Sequence, residues 1–395
     1  MLTPVDEVLS FIQEKAIQVD EEIIELSAGL GRVLSKDIRS SIDVPSFDNS
    51  AMDGYAINAE GVNVGSKLPI SDRIPAGSVG QDLTLGTAAR IFTGAPLPIG
   101  TNAVVMQENT SQMHNEVLIN EDPQVGQNVR RAGQDIKSGV TVLKAGRRLK
   151  AQDLGLIASL GCAEMSVFRR LRVAVISTGN ELVSPTKKLQ PGQIYNSNQY
   201  TLVALVEQLG MVALDMGCIG DSFSETEKAL TVAEKEADCI ISSGGVSVGE
   251  EDYVKAVVEK LGSLDLWKLA IKPGKPLAFG MIGTTPFFGL PGNPVSSFVT
   301  FNIVARPYLM LCQGCHDGHL MKVEAQTDFD FKAGNRKEYL RVKLKFNDQG
   351  RCIASLFANQ GSGIMSSVSW ADGLAEVEIN GDICQGDRIK INLTT

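Results

Sequence analysis

The spacing of apolar residues predicts helices at the start of the chain and again before residue 170. Thr3 and Pro4 are of the types favoured at the N-cap and first position of a helix, and apolar residues follow at helical spacing. Two more helices are predicted at Ala28–Leu34 and Gln152–Leu160. We expect these helices to form one N-terminal helical domain, made of residues 1–45 and 143–170.

Between those helical segments the chain changes to short β-type runs separated by turns rich in Gly, Pro and Asn. Runs such as Ala89–Phe92 and Ala103–Gln107 predict an inserted β-rich domain over residues 46–142. Residues 318–395 also alternate apolar and polar positions, as in Glu338–Phe346, which predicts a small C-terminal β domain.

Residues 171–317 alternate between short apolar runs and helical patterns. An apolar run such as Arg172–Ser177 is typical of a strand buried on both faces, and helices between such strands indicate βαβ crossovers. The predicted order is strand Arg172–Ser177, helix Ser197–Leu209, strand Val212–Cys218, helix Ser224–Glu236, strand Asp238–Ser242, helix Asp252–Leu261, apolar segments Leu266–Ile271 and Pro276–Phe279, strand Pro286–Leu290 and helix Val295–Leu311. The predicted fold class is therefore α/β multidomain, with a mainly parallel βαβ sheet in its central domain.

The composition narrows the classes of function. The net charge of the 395-residue chain is −9, which argues against a nucleic-acid-binding protein because such proteins need a basic face. The N-terminus lacks the features of a signal peptide, and the apolar runs are shorter than a membrane span. Seven scattered cysteines do not suggest a disulfide framework. We expect a cytoplasmic protein with no membrane contact.

A cysteine and histidine cluster near residue 315 permits two interpretations. Cys312, Cys315 and His316 match a haem-attachment pattern, and His319 extends it toward a metal site. The alternative is a polar, Gly-containing loop that closes the preceding helix. Covalent haem attachment requires an exported protein, so we favour the loop.

Four loops that follow the predicted strands hold ligand-type residues. Ligands of open parallel sheets bind beyond the carboxyl ends of the strands, so these loops should meet at one edge. Two of them are rich in glycine, which lets backbone N–H groups approach a phosphate. The residues expected to bind the ligand are Thr178, Gly179, Ser243, Gly244, Gly245, Ser247, Pro291, Gly292, Asn293, Pro294 and Ser296.

Acidic and basic residues accompany the same loops. Glu181 and Asp221 follow two of the strands, and Asp252 begins the next helix, although an Asp at that place is also an ordinary N-cap. Carboxylates beside a phosphate site suggest a divalent cation, and Mg²⁺ binds one or two carboxylates together with phosphate oxygens and water. A nearby basic segment, which holds Lys268, Lys272 and Lys275, favours a second pocket for a small oxyanion.

Several motifs resemble those of the MoeA family. They are Phe47–Ala56, Phe92–Pro98, Ile241–Gly249, Ile271–Pro276 and Gly289–Pro294. The resemblance spans nearly the whole chain and implies a homodimer in which the inserted domain of one subunit completes the active site of the other. It also implies a reaction in which molybdate and adenylyl-molybdopterin give molybdenum cofactor and AMP with the help of Mg²⁺.

The resemblance also assigns roles to residues of this chain. Asp53 and Asp135 would be acids contributed by the partner subunit, although Asp53 is also a common turn residue before glycine. Further candidates for contacts with the oxyanion are Ser296, Arg341 and Ser362. The residues expected to be catalytic are Asp53, Asp135, Glu181, Asp221, Asp252, Lys268 and Lys272, and the expected metal ligands are Glu181 and Asp221.

One position departs from the pattern, because Asn180 stands where many relatives have Asp. Two other interpretations remain open: a non-catalytic molybdopterin carrier, or a scaffold similar to gephyrin. A P-loop NTPase is disfavoured because the chain has no GxxxxGK[ST] motif. The chain has no fused adenylyltransferase domain, so we expect a separate molybdopterin adenylyltransferase to supply the substrate.

Overall fold

A computed structural model of the protein describes residues 2–245 and 253–394. The predictions made for Ser247 and Asp252 lie outside the described residues. The α-helices are Val5–Gln13, Ala151–Ser159, Ser197–Gln208, Phe223–Glu236, Tyr253–Leu261, Pro294–Thr300, Arg306–Cys312 and Met365–Trp370.

A six-stranded mixed sheet forms the centre of the α/β domain. Its strands are β1 (Arg172–Thr178), β2 (Val212–Ile219), β3 (Cys239–Ser243), β4 (Gly262–Lys268), β5 (Pro276–Ile282) and β6 (Thr285–Leu290). The order across the sheet is β2-β1-β3-β6-β5-β4. The neighbours from β2 to β6 are parallel, while β5 runs antiparallel to both β6 and β4. The mainly parallel sheet is confirmed, with an antiparallel edge that the sequence did not predict.

Helices cover both faces of this sheet, because successive side chains of a strand point to opposite faces. On one face Val175 of β1 packs in the same core as Leu202 of helix Ser197–Gln208. On the other face Ile176 packs with Leu230 of helix Phe223–Glu236. Since β2 lies on one side of β1 and β3 on the other, the strand order reverses at β1. A crevice is expected at the carboxyl end of the sheet at that point.

The last helix of the domain is longer than predicted. Pro294–Thr300 continues through a π-helical turn at Phe301–Ala305 into Arg306–Cys312. Its 19 residues have the length and mean hydropathy, 1.3, of a membrane span, so the expectation that every apolar segment is too short was wrong. However, 89% of the most apolar stretch of this helix is buried inside the protein. It is therefore explained as a core helix of the α/β domain.

The N-terminal region is less helical than predicted. Leu26–Ala28 is a single 3₁₀ turn, and the predicted helix Ala28–Leu34 does not form. Leu34 instead bridges to Val167, so its side chain is buried against a strand. The strands in and around this region are short, and they are Glu21–Glu25, Ile38–Arg39, Asn49–Ser50, Val129–Arg130, Thr141–Leu143 and Glu164–Phe168.

The first helix packs against the core of the α/β domain. Val8 and Ile12 of Val5–Gln13 are buried in the core that covers β1. The predicted N-cap role of Thr3 was wrong, because the N-cap is Pro4 and makes no side-chain cap. Thr3 instead exchanges backbone hydrogen bonds with the end of β4 and the residues that follow it, donating to the carbonyl of Lys268 at 2.9 Å and accepting from the N–H of Ala270.

Two further six-stranded sheets form the predicted β-rich regions. In order across the sheet, the strands of the inserted region are Ala103–Met106, Gly54–Ile57, Ala88–Ile91, Lys67–Ile74, Glu116–Ile119 and Thr110–Met113. Five strands of the C-terminal region close into a small barrel, because Lys337–Phe346 pairs with both Cys352–Leu356 and Gly373–Val377. The other two strands of the barrel are Lys322–Thr327 and Arg388–Leu393. Four further short strands lie outside these sheets, namely Leu182–Val183, Ile194–Tyr195, Phe331–Lys332 and Asp382–Ile383.

The sixth strand of the C-terminal sheet comes from the α/β domain. Ile271–Lys272, in the loop between β4 and β5, pairs in parallel with Lys337–Phe346 of the C-terminal barrel. The backbone N–H of Lys337 also donates to the carbonyl of Ala270 at 2.8 Å. The predicted basic segment is therefore built into the junction between the two domains.

Candidate functional site

A cleft of about 830 Å³ lies at the carboxyl ends of β1, β3 and β6, where the crevice is expected. The barrel closes its far side. Most of the residues predicted from the sequence line this cleft together. They are Thr178, Gly179, Glu181, Asp221, Ser243, Gly244, Gly245, Lys272, Lys275, Pro291, Gly292, Asn293, Pro294, Ser296 and Ser362.

Two glycine-containing loops meet at the floor of the cleft. Gly244 follows β3 with a φ of +90°, which favours glycine, and a Cβ there would lie 3.3 Å from the carbonyl oxygen of Thr178. A Cβ on Gly292 would lie 3.8 Å from the Cα of Gly244. Asn198 fixes the second loop by donating from Nδ2 to the carbonyl of Gly292 at 2.7 Å. The floor is thus open backbone to which a phosphate can come close.

One wall of the cleft is acidic. The backbone N–H of Asn180 donates to Asp221 Oδ2 at 3.0 Å, and the N–H of Asp221 donates to Asn180 Oδ1 at 3.2 Å. These reciprocal bonds hold the loop after β1 against the loop after β2. Glu181 lines the same wall as Asp221, and its carboxylate lies against Gly179, where a Cβ would be 2.4 Å from Glu181 Oε2. Burial raises the pKa of the neighbouring Cys218 thiol, and the carboxylates of Glu181 and Asp221 add to that rise.

The acidic wall suits a cation that shares its ligands with a bound substrate. Within residues 2–245 and 253–394, no three His, Cys, Asp or Glu side chains are grouped to hold a metal ion on their own. Two carboxylates supply hard oxygen ligands, and Mg²⁺ in proteins takes one or two of these with phosphate oxygens and water completing its shell. The chemistry of Glu181 and Asp221 therefore fits the predicted metal, provided that a phosphate is present.

The opposite wall is basic. Lys272 lies on the strand that joins the barrel, and its Nζ is 3.2 Å from Glu338 Oε1. Lys275 is exposed to the cleft, and the described residues include no hydrogen-bond or ion-pair partner for its ammonium. Arg336 of the barrel also lines the cleft and donates from Nη1 to the carbonyl of Ile271 at 3.1 Å. This wall offers positive charge to a second anion.

Two predicted basic residues lie outside the cleft lining. Lys268 is exposed at the end of β4 and does not line the cleft. Arg341 is 1% exposed and lies behind the loop that carries Ser362. Its guanidinium donates to Ser367 Oγ at 3.1 Å and to the carbonyls of Tyr339 and Gly361. We therefore replace the predicted direct contact between Arg341 and an oxyanion with a supporting role for this loop.

Asp53 and Asp135 lie in the inserted region and do not line this cleft. Asp53 Oδ1 accepts from both the N–H and the hydroxyl of Thr93 at 2.8 Å. These hydrogen bonds lower the pKa of Asp53, so its carboxylate stays ionised on an exposed loop. The assignment of both acids to the partner's active site remains a prediction.

Three polar side chains in the lining were not predicted, namely those of Asn198, Arg336 and Gln360. Gln360 is tied to the Arg341 backbone, donating from Nε2 to its carbonyl and accepting its N–H at 2.9 Å. A polar residue inside a helix or a surface loop carries no signal of its own in one sequence. Only the pairing of the barrel with Ile271–Lys272 brings Arg336 to the cleft.

The Cys312 cluster closes a helix, as favoured from the sequence. Gly314 has a φ of +81°, and the N–H of Cys315 donates to the carbonyl of Met310, which ends helix Arg306–Cys312. Cys312 is buried, and this burial raises its pKa to about 11. With His316 and His319 included, the described residues form no metal-binding group here.

Comparison with protein families gives three matches in chain order. The family described as MoeA N-terminal region (domain I and II) matches residues 3–161, a probable molybdopterin binding domain matches residues 174–311, and the MoeA C-terminal region (domain IV) matches residues 322–394. The last two matches cover the two sides of the cleft.

Curated relatives and solved structures match over most of the chain. A protein of Haemophilus influenzae named molybdopterin molybdenumtransferase is 39% identical over 96% of this chain and 95% of its own. A protein of the same name from Nostoc is 40% identical over 84% of this chain and 79% of its own. The crystal structure of a molybdopterin biosynthesis MoeA protein from Pyrococcus horikoshii covers both chains fully, with a TM-score of 0.82 and 33% identity. The cleft, the order of domains and these relatives together show that this chain belongs to the MoeA family.

Proposed function

We propose that this protein is a molybdopterin molybdenumtransferase, which inserts molybdate into adenylyl-molybdopterin and releases AMP to give molybdenum cofactor. Membership of the MoeA family places the protein in molybdenum cofactor biosynthesis. The observation that supports the reaction most is a single cleft with an acidic wall, a glycine floor and a basic wall. Such a cleft has separate places for a metal-bound phosphoanhydride and for a second oxyanion.

The floor is suited to the phosphate groups of the substrate. Gly244, Gly245 and Gly292 expose backbone at the edge of the sheet, and Asn293 precedes the first turn of the helix that begins at Pro294. A helix N-terminus carries partial positive charge, which favours an anion there. Binding at this floor would place the phosphoanhydride next to the acidic wall.

Glu181 and Asp221 would hold Mg²⁺ together with the phosphoanhydride oxygens. When bound, the metal supplies Lewis-acid polarisation of the phosphoanhydride. The residues of this chain orient the reacting groups: the reciprocal hydrogen bonds between Asn180 and Asp221 keep the Asp221 carboxylate in place. Asn180 thus supports the acidic wall through its backbone N–H and its side-chain amide oxygen.

The basic wall is suited to molybdate. Lys272, Lys275 and Arg336 supply charge, and Ser296 and Ser362 supply hydroxyl groups at the same side of the cleft. An oxygen of molybdate or of water attacks the adenylate phosphorus, the P–O bond to the pterin phosphate breaks, and AMP leaves with the attacking oxygen. Molybdenum binds the dithiolene sulfurs as molybdate gives up oxygen, which leaves in AMP or as water with the thiol protons. The sulfur ligands belong to the substrate, so no cysteine of the protein is required as a nucleophile.

The complete enzyme in this proposal is a cytoplasmic homodimer that receives its substrate from a separate adenylyltransferase. Asp53 and Asp135 of the inserted region would complete the partner's cleft, in agreement with their distance from the lining of their own. This arrangement accounts for an ionised, half-buried Asp53 that has no ligand-binding role within its own subunit.

Reconstitution of a cofactor-free molybdoenzyme tests the proposal. The purified protein, adenylyl-molybdopterin, molybdate and Mg²⁺ should together restore activity to that enzyme, and the omission of molybdate should prevent it. A protein that binds the adenylate but never yields active cofactor would be a carrier or scaffold, which would contradict the proposal.

A further inference from the structure

A buried carboxylate of the C-terminal barrel lies directly behind the basic wall. Glu338 is 4% exposed, whereas the side chain of its partner Lys272 is 50% exposed. Glu338 Oε1 accepts from Lys272 Nζ at 3.2 Å and from the N–H of Gly334 at 3.4 Å. A carboxylate this deeply buried is costly unless it is paired, so this ion pair differs from an exposed one.

The backbone fixes the two residues next to each other. Lys272 and Glu338 are opposite each other in the parallel pairing that joins the α/β domain to the barrel. The neighbouring residue Lys337 points to the other face and pairs with Glu376 and Glu378. Glu338 is therefore the acid that this strand directs toward the cleft.

The Glu338 carboxylate also acts electrostatically on the buried Arg341. Burial lowers the pKa of Arg341 to about 10, and the Glu338 carboxylate acts in the opposite direction. The hydrogen-bond acceptors of the Arg341 guanidinium are a hydroxyl and two carbonyl groups, all neutral. The Glu338 carboxylate thus provides negative charge near two cations, Arg341 behind the basic wall and Lys272 in it.

We propose that Glu338 is a positioning residue for the basic wall: its ion pair holds the Lys272 ammonium where an oxyanion binds. The inference rests on the proposed function, with molybdate as the anion. A long lysine side chain loses considerable rotamer freedom when it is held, so an anchor that is already in place lowers the cost of binding. The anchor belongs to the barrel, so the site requires the barrel and the α/β domain to be joined.

Steady-state kinetics of molybdate-dependent AMP release give the first test. Glu338→Gln should raise the KM for molybdate about fivefold and change kcat by less than about twofold, because it weakens a charge-assisted hydrogen bond made before the reaction. In a Lys272→Met background the same substitution should add nothing to the KM. A lower KM would show that Glu338 only competes with the anion, and additive effects would show that it acts elsewhere; either result would overturn the proposal.

A matched control separates positioning from loss of stability. Glu376 is another ion-paired carboxylate of the same barrel, with a side chain only 9% exposed, and it lies outside the cleft lining. Glu376→Gln should lower the Tm but leave the KM for molybdate unchanged. If both variants raise the KM equally, the effect is structural and the proposal fails.

Chemical labelling tests the ion pair without any catalysis. With limiting acetic anhydride, Lys272 should be acetylated more slowly than Lys275. Glu338→Gln should raise the ratio of the Lys272 acetylation rate to the Lys275 rate severalfold, as measured by mass spectrometry. An unchanged ratio would overturn the ion pair in solution. A raised ratio together with AMP release that does not depend on molybdate would support the ion pair but contradict the proposed function.

Discussion

Gly274 lies against Thr300, so closely that a Cβ on Gly274 would approach Thr300 Oγ1 to 2.4 Å. Gly274 also has a φ of +107°, a conformation that other residues rarely adopt. This contact seats the turn that carries Lys272 and Lys275 on the core helix that begins at Pro294. The place of the basic wall therefore depends on the absence of a side chain at Gly274.

Gly274→Ala should move this turn and weaken molybdate binding. We expect a KM for molybdate raised on the order of tenfold and a lower Tm, since both strain and a close contact are introduced. Gly155→Ala is the control, because Gly155 lies in helix Ala151–Ser159 with open space around it and should gain up to about 1 kcal/mol of stability. If Gly274→Ala leaves the KM unchanged, the turn does not position the wall.

Asp221→Asn tests the acidic wall. The amide keeps an oxygen that can accept from the N–H of Asn180 but loses the negative charge. Turnover should fall on the order of 100-fold, while the Kd for adenylyl-molybdopterin changes little, because the charge is needed in the reaction rather than in binding. Equal losses of binding and turnover, measured by equilibrium binding and AMP release, would remove this role from Asp221.

A mixing experiment tests whether the active site is shared between subunits. Asp53→Asn and Asp221→Asn should each be inactive, but a heterodimer of the two variants has one site with both native acids. Random reassociation should restore about a quarter of the wild-type activity, since half of the dimers would be mixed and each would have one intact site. Restoration should depend on subunit exchange; no recovery after verified exchange would place Asp53 outside the partner's site.

The stability of the barrel should depend on pH through Glu376. Burial raises the pKa of Glu376, but hydrogen bonds from Lys322, Asn392 and Lys337 outweigh that effect and lower the pKa to about 2. A carboxylate with a lowered pKa in the folded state stabilises the protein above its unfolded pKa near 4.3 and loses this contribution as the pH falls toward 2. The contribution at pH 7 is about 3 kcal/mol.

Urea unfolding of the wild type and Glu376→Gln measures this contribution. The difference in unfolding free energy should be largest near pH 7 and shrink between pH 4.5 and 3. The exposed Glu324 on strand Lys322–Thr327 of the same barrel provides the control, since Glu324→Gln should change stability little at either pH. A difference that is independent of pH would contradict the assigned charge state of Glu376.

Local patterns in the sequence predicted most of the α/β domain and the cleft. Apolar runs such as Arg172–Ser177 are unambiguous because a strand buried on both faces needs no polar alternation. The loops after parallel strands meet at one edge of the sheet, so the strand pattern alone brings Glu181, Asp221 and Gly292 together. Backbone topology thus carried the prediction.

Tertiary contacts explain what the sequence missed. Val33 and Leu34 have helical spacing in their segment, but bridges to Arg148 and Val167 bury them in an extended conformation. Arg341 has the residue type of an anion ligand, yet the barrel buries it at 1% exposure. Each outcome depends on pairing with a strand far away in the chain, which local spacing does not encode.

The most direct test of the central claim is a single-turnover measurement of AMP release. Wild-type protein in excess over adenylyl-molybdopterin and with Mg²⁺ present should release AMP rapidly only after molybdate is added. The same reaction with Lys272→Met and Lys275→Met should need far more molybdate. AMP release at the same rate without molybdate, or no release under any condition, would contradict the claim that this cleft inserts molybdenum.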